Sequence, residues 1–162
     1  MTAMIRELEE RDIEAVVAIA DRAWQKIWAV RRAALGDAIS DRLCPEGDAK
    51  AKGAAVRRNI ASGVWKHIVC EEEGEVVGFL CYRCNAQTGV AEIGNNAVDP
   101  DRHLKGRGQQ LYQAAFDAMR AAGMKVVYVE TGLDEAHAPA RRAYQRAGFD
   151  RELHHVSYFR EL

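Results

Sequence analysis

The sequence predicts an α/β domain, a mixed β-sheet with helices on its faces, with residues 1–162 forming one unit. Three observations carry this. Apolar residues follow a helical spacing from Asp12 and switch to the two-residue period of strands at Gly63–Val64. An acidic turn at Glu72–Gly74 joins two such strands as a hairpin. Beyond Pro100, amphipathic helices alternate with strand-like runs.

"MIREL" alternates and reads as a first strand. Ile13, Val16, Val17, Ala20, Trp24, Ile27 and Trp28 recur at i, i+3, i+4 and i+7, the stripe of an amphipathic helix. Trp24 is expected in the core, and Trp28 is open between core and surface. Residues 30–62 are rich in alanine and arginine and helical in character, with breaks expected at "CPEGD" and at Gly53. "GVWKHIVCEEEGEVVGFLCYRC" then supplies the hairpin strands, and "GVAEIGNNAVDP" a third strand ending at Pro100. Gly94 and the two asparagines inside it predict a bulge or a close backbone approach. "GQQLYQAAFDAMRAAG" is a helix with Gly123 at its C-terminal stop. "MKVVYVET" reads as a strand buried on both faces. "APARRAYQRAG" is a last helix, with Pro139 early and Gly148 at its end. The tail "HHVSYFREL" is expected as a final strand. The order is β, an α-rich segment, β, β, β, α, β, α, β.

With 48% hydrophobic residues, 29% charged residues and a net charge of -1, the chain suits a soluble core-forming domain. That balance speaks against nucleic acid or a membrane surface as a bulk partner. No apolar run approaches the roughly 20 residues that span a bilayer. "MTAMIRELEERDIEA" contains no signal-peptide apolar region, so a cytoplasmic location is expected. Cys81 and Cys84 form a CxxC, but their spacing on a strand sends the thiols to opposite faces, and no second pair completes a metal set. Buried or half-buried free thiols, and no metal, are expected. His67, His154 and His155 read as surface or edge residues, and Asp99 as a turn residue.

"DPDRHLKGRGQQLY" places Gly106 and Gly108 where a helix begins. Two readings are open at this level. One is a tight strand-to-helix turn. The other is an anion cradle, in which a phosphate reaches unpartnered first-turn amides without meeting a β-carbon. Arg102, Lys105 and Arg107 add positive charge nearby. The pattern is neither a Walker loop nor a dinucleotide fingerprint.

Joined to "HAPARRAYQRAGF" about thirty residues later, the turn resembles the signature of the GNAT superfamily of acyl-CoA-dependent N-acyltransferases. In that family a strand ending in V-x-P leads to [QR]-x-x-G-x-[GA], and N-x-x-A-x-x-x-Y-x-x-x-G-F follows. Two positions depart from the pattern: His103 stands in place of Gln or Arg, and His137 in place of Asn. The resemblance implies a central, largely antiparallel sheet flanked by helices on both faces, and acetyl-CoA as co-substrate.

It further implies that the backbone of Leu104, Lys105, Gly106, Arg107, Gly108 and Gln109 holds the pyrophosphate. The edge at Asn96, Ala97 and Val98 would bind the pantetheine as an added strand does, with an amide there polarising the thioester carbonyl. His137 would face the coenzyme's amides, and one of Arg141 and Arg142, with Arg142 favoured, its phosphates. Tyr144 aligns with the tyrosine that protonates the leaving sulfur in many members. Glu92 is the candidate base, with Glu130 behind it. The implied partners are an acyl-CoA and an unidentified amine acceptor, and a homodimer, since members are often dimers. The histidine departures keep open a non-catalytic acyl-CoA-binding or sensing module, and a nucleotide-phosphate binder of another fold is the third alternative.

Overall fold

The computed structural model describes residues 3–102 and 105–162, so the expectations placed on His103 and Leu104 lie outside the described residues. Five strands form one sheet in the order β1 (Met4–Glu7), β2 (Lys66–Glu72), β3 (Glu75–Asn85), β4 (Val90–Val98) and β5 (Val126–Val129). Neighbours are antiparallel except β4 and β5, which run parallel. The sheet is therefore mixed, as the element order predicts. Between β1 and β2 lie α1 (Ile13–Leu35), α2 (Asp37–Leu43) and α3 (Asp48–Ala61), while α4 (Arg107–Ala121) and α5 (Ala138–Arg146) flank β5 in sequence.

Two apolar cores occupy the two faces of the sheet. Val16, Ile19 and Ala20 of α1 and Val56 of α3 bury against Val69 and Phe79. On the other face Leu111, Tyr112, Ala115 and Met119 of α4 and Tyr144 of α5 bury against Val77, Leu80, Tyr82 and Ile93. The β2–β3 turn is the one the sequence predicts: Glu73 and Gly74 both have positive φ, at 56° and 81°, which matches the twist of a two-residue hairpin.

Arg6 ties the start of the fold together. Its guanidinium spans Asp12 (2.6 and 2.9 Å) at the entry to α1 and Glu71 (2.6 and 2.8 Å) on β2. The hydrogen bonds from Arg6 hold the buried Asp12 carboxyl below the usual carboxylate range, against the opposing effect of burial.

Three expectations are corrected. Gly53 does not break α3. It lets α3 cross α1 closely, because a β-carbon there would fall 2.6 Å from Asp21 Oδ2 and 2.7 Å from Val17 Cγ1. The buried Asp21 accepts the Gly53 N–H at 2.6 Å, which pins the crossing. Secondly, β5 is not buried on both faces. It lies at the end of the sheet, so Val126 and Tyr128 are 58% and 41% exposed while Val127 and Val129 face inward. Thirdly, the tail forms no strand: residues 150–162 are exposed throughout and pair with no element of their own chain.

Candidate active site

The cleft originates in a mismatch of pairing lengths. β4 is hydrogen-bonded to β3 as far as Val98, but to β5 only as far as the Ile93–Val129 pair. From Gly94 to Val98 the second edge of β4 has no strand beside it. A cleft of about 560 Å³ opens along that edge, walled by α1, α3, the start of α4, and α5.

The divergence begins at a bulge. Leu80 pairs with Asn96 and Tyr82 with Ile93, so Gly94 and Asn95 together oppose Cys81. Glycine is required there, since a β-carbon on Gly94 would fall 2.7 Å from the Trp65 ring and 2.8 Å from Cys81 Sγ. The bulge expected from the sequence is thus present, and close packing explains its glycine. Burial pushes the Cys81 thiol up to about 12, so it stays protonated at neutral pH, while Cys84 is exposed rather than half-buried.

Asn96 organises the polar wall. Its Nδ2 donates to Gly94 O (3.0 Å) and to Tyr144 Oη (3.2 Å), and its Oδ1 accepts from the Tyr112 hydroxyl (2.8 Å). Tyr144 therefore accepts from Asn96, and the Tyr112 hydroxyl is a second polar neighbour of its own. Burial raises the Tyr144 pKa, so this hydroxyl holds its proton through the neutral range. Its ring packs edge-on to Tyr112 (5.7 Å) and Phe149 (5.8 Å).

At the cleft's other end, Gly106 caps α4 in the left-handed region (φ 83°). The first turn has neither a side-chain cap nor an acidic residue of its own, so among the described residues no side chain caps its amides. A β-carbon on Gly108 would meet only Val98 Cγ2 at 3.8 Å, an ordinary contact. Packing does not demand glycine at that position. Arg107 is drawn into an ion pair with Glu72 (2.5 Å) and Arg102 into one with Glu75, both at the β2–β3 turn. Lys105 is exposed and makes no ion pair among the described residues. Gln109 Nε2 donates to Ala143 O (3.0 Å), joining α4 to α5.

Ala97 and Val98 line the cleft together with Asn96, as does His137. His137 Nδ1 lies 2.6 Å from Asp134 Oδ2, an arrangement that leaves Nε2 for other partners. Arg141 donates to Gly132 O and Asp134 O, both at 2.7 Å, and so fixes the loop before α5; Arg142 is exposed. Glu92 is not among the residues lining the cleft. Its carboxylate is engaged by Arg83 (2.7 and 2.5 Å), whose guanidinium lies 4.6 Å over the Trp65 ring. Glu130 lines the cleft and is exposed. Asp99 is a buried turn residue that accepts from Arg22 at 2.8 Å. His67 is half-buried beside Asn59 (2.8 Å), and His154 and His155 are exposed.

Sequence reasoning missed Lys52. It lines the cleft from α3, with its ammonium 4.2 Å above the ring of Trp24 from α1. Trp24, expected in the core, is instead half-buried and forms part of the cleft wall. No carboxylate lies within 4.0 Å of the Lys52 ammonium among the described residues, and burial lowers its pKa to about 8. The available signal was Gly53 itself, since a glycine inside a helix marks a close helix approach. No group of three metal-ligating side chains occurs among the described residues, and no described helix is long and apolar enough to cross a membrane.

The profile of the acetyltransferase (GNAT) family matches residues 13–149. An uncharacterized N-acetyltransferase of Methanocaldococcus jannaschii is 33% identical over 87 residues, 51% of this chain and 38% of that protein. A mycothiol acetyltransferase of Clavibacter michiganensis subsp. michiganensis is 35% identical over 92 residues, 56% of this chain and 28% of that protein. The matches thus span well under half of either relative. In three dimensions, the PaiA N-acetyltransferase of Thermoplasma acidophilum, solved in complex with coenzyme A, superposes with a TM-score of 0.69 at 19% identity, covering 94% of this chain and 92% of that one.

Proposed function

The chain belongs to the acetyltransferase (GNAT) family, and from that premise we propose that it transfers an acetyl group from acetyl-CoA to a primary amine, with both bound together in the β4–β5 cleft. The observation that carries this is the Tyr144 hydroxyl, buried in the cleft, held by Asn96 and kept protonated by burial. Acetyl-CoA supplies an activated thioester. The chain supplies the rest.

The uncapped first turn of α4, from Gly106 to Gln109, takes the pyrophosphate on its amides. The free edge of β4 at Asn96, Ala97 and Val98 pairs with the pantetheine amides, and an amide beside the bulge donates to the thioester carbonyl oxygen. His137, which lines the cleft, and Arg142, exposed on α5, serve as further coenzyme contacts, and Lys105, which makes no ion pair among the described residues, adds a cation. Tyr144 donates its proton to the departing sulfur as the amine nitrogen bonds to the carbonyl carbon. General acid assistance of this kind is worth about 10²–10⁴ in rate.

The incoming amine must first lose a proton. Glu92, engaged by Arg83 and outside the cleft lining, is poorly placed for this step. We assign the role to Lys52, whose neutral form is substantially populated near pH 8.

The test is a thermal melt with acetyl-CoA, followed by thiol release over a panel of amines. A ligand that binds only the folded state raises its stability by RT ln(1 + [L]/Kd). Stabilisation by acetyl-CoA together with thiol release is expected. Stabilisation without release from any amine favours the acyl-CoA-sensing module instead. Stabilisation by ATP or NAD but not by acetyl-CoA overturns both.

A further inference from the structure

Tyr112 carries a hydroxyl that packing does not require. It belongs to the buried face of α4 with Leu111, Ala115 and Met119, and its ring lies edge-on to Tyr144 at 5.7 Å. One turn later the same helix uses Phe116, whose ring stacks 6.5 Å from that of Tyr112 and carries no polar atom. A buried hydroxyl costs free energy unless it is bonded, so an oxygen kept at this position points to a partner.

That partner is Asn96, and the direction of the contact follows from a third group. Gly94 O can only accept, so the Asn96 amide turns its nitrogen toward Gly94 (3.0 Å) and Tyr144 (3.2 Å). The amide oxygen is left facing Tyr112, which donates to it at 2.8 Å. Tyr112 thus holds the amide in the one orientation that presents an N–H to the Tyr144 oxygen. Turned the other way, Asn96 would offer Tyr144 an acceptor and tie up the proton that Tyr144 has to give.

The two tyrosines are not equivalent in this network. Burial, and next the neighbouring Tyr144, push the Tyr112 pKa upward, so Tyr112 keeps its proton. Burial raises Tyr144 as well, but its contacts with Asn96 and Tyr112 pull it back down. Negative charge is therefore favoured on Tyr144, the oxygen that acquires it when a proton passes to the departing sulfur.

We propose that Tyr112 is a positioning residue for the transfer reaction, its hydroxyl orienting Asn96 so that an Asn96 N–H holds the Tyr144 oxygen before and after that oxygen gives up its proton. This role rests on Tyr144 acting as the acid. In that step the thioester C–S bond breaks, the Tyr144 proton moves to the sulfur, and a tyrosinate remains. Lys52 holds the proton taken from the amine, and exchange with solvent returns both groups to their starting states.

The experiment is thiol release from acetyl-CoA with the panel amine that reacts fastest. Tyr112→Phe should lower kcat about 10- to 100-fold, the effect of losing a hydrogen bond that steadies a charged oxygen. KM for acetyl-CoA and the acetyl-CoA-induced melting shift should stay close to wild type. In a Tyr144→Phe background the same change should cost less than about twofold more, because the oxygen it serves is gone. Asn96→Leu breaks the network at its centre and should behave alike in both backgrounds, which keeps the test open if Tyr112→Phe folds poorly. An equally large loss on top of Tyr144→Phe overturns the proposal, since Tyr112 then acts through packing. So does a fall in acetyl-CoA affinity without a fall in kcat, which makes Tyr112 a coenzyme contact. Wild-type kcat in Tyr112→Phe beside a slow Tyr144→Phe overturns this role alone. Wild-type release by Tyr144→Phe, or no release by the wild type, overturns the reading beneath it as well.

Discussion

Replacing Gly108 by alanine separates a glycine kept for folding from a glycine kept for a ligand. The position lies in the first turn of α4, outside the left-handed backbone region, and a methyl there meets only Val98 Cγ2 at 3.8 Å. Nothing among the described residues opposes the substitution, and alanine within a helix is favoured over glycine by about 0.5–1 kcal/mol. For a domain of this size that corresponds to a rise in melting temperature of about 1–4 °C. The same methyl projects from a cleft-lining turn whose amides are proposed to hold a pyrophosphate. Keeping the phosphate off those amides should weaken acetyl-CoA binding by at least tenfold, about 1.4 kcal/mol. The assay is a melt of the unliganded variant followed by an acetyl-CoA titration read by melting temperature. A lower melting temperature without ligand would mean that packing demands the glycine. Unchanged affinity would remove the cradle.

Three further outcomes are expected. The pH profile of kcat/KM should rise through a limb near 8, and Lys52→Met should abolish that limb while the acetyl-CoA-induced melting shift persists; an unaltered limb would refute Lys52 as base. Asp12→Asn removes a carboxylate whose pKa is lowered in the folded state, a contribution that is present above the unfolded value of about 3.9 and is lost as pH falls through the folded one. The variant should therefore be less stable by about 1.5–3 kcal/mol at pH 7 and nearly equal to wild type in strong acid, whereas equal differences at both pH values would contradict the Arg6–Asp12 account. Gly94→Ala forces a methyl against Trp65 and Cys81 and should cost about 1–3 kcal/mol, visible as a lower melting midpoint in denaturant; no loss would show that the bulge has room.

Much of the scaffold could be read from local pattern. The β2–β3 hairpin, the break between α2 and α3 at Cys44–Gly47, the Gly94 bulge and the start of α4 each depend on a few neighbouring residues. What escaped depends on which strands become neighbours. The apolar run of β5 looks the same in the middle of a sheet and at its edge, and only the strand order makes Val126 and Tyr128 outward-facing. The tail alternates as a strand does, yet alternation names no partner. Glu92 turned out to face Arg83, its registered neighbour on β3, a pairing set by a register that no local pattern reveals. Lys52 and Trp24 lie on different helices and meet only because Gly53 lets α3 close onto α1.

The central claim is that the Tyr144 hydroxyl gives up a proton as the thioester breaks, and Tyr144→Phe tests it most directly. The substitution removes one oxygen and leaves the ring against Tyr112 and Phe149. Thiol release at saturating amine should fall by about 10²–10⁴, while the acetyl-CoA-induced melting shift stays close to that of the wild type. Thiol release at the wild-type rate would contradict the claim.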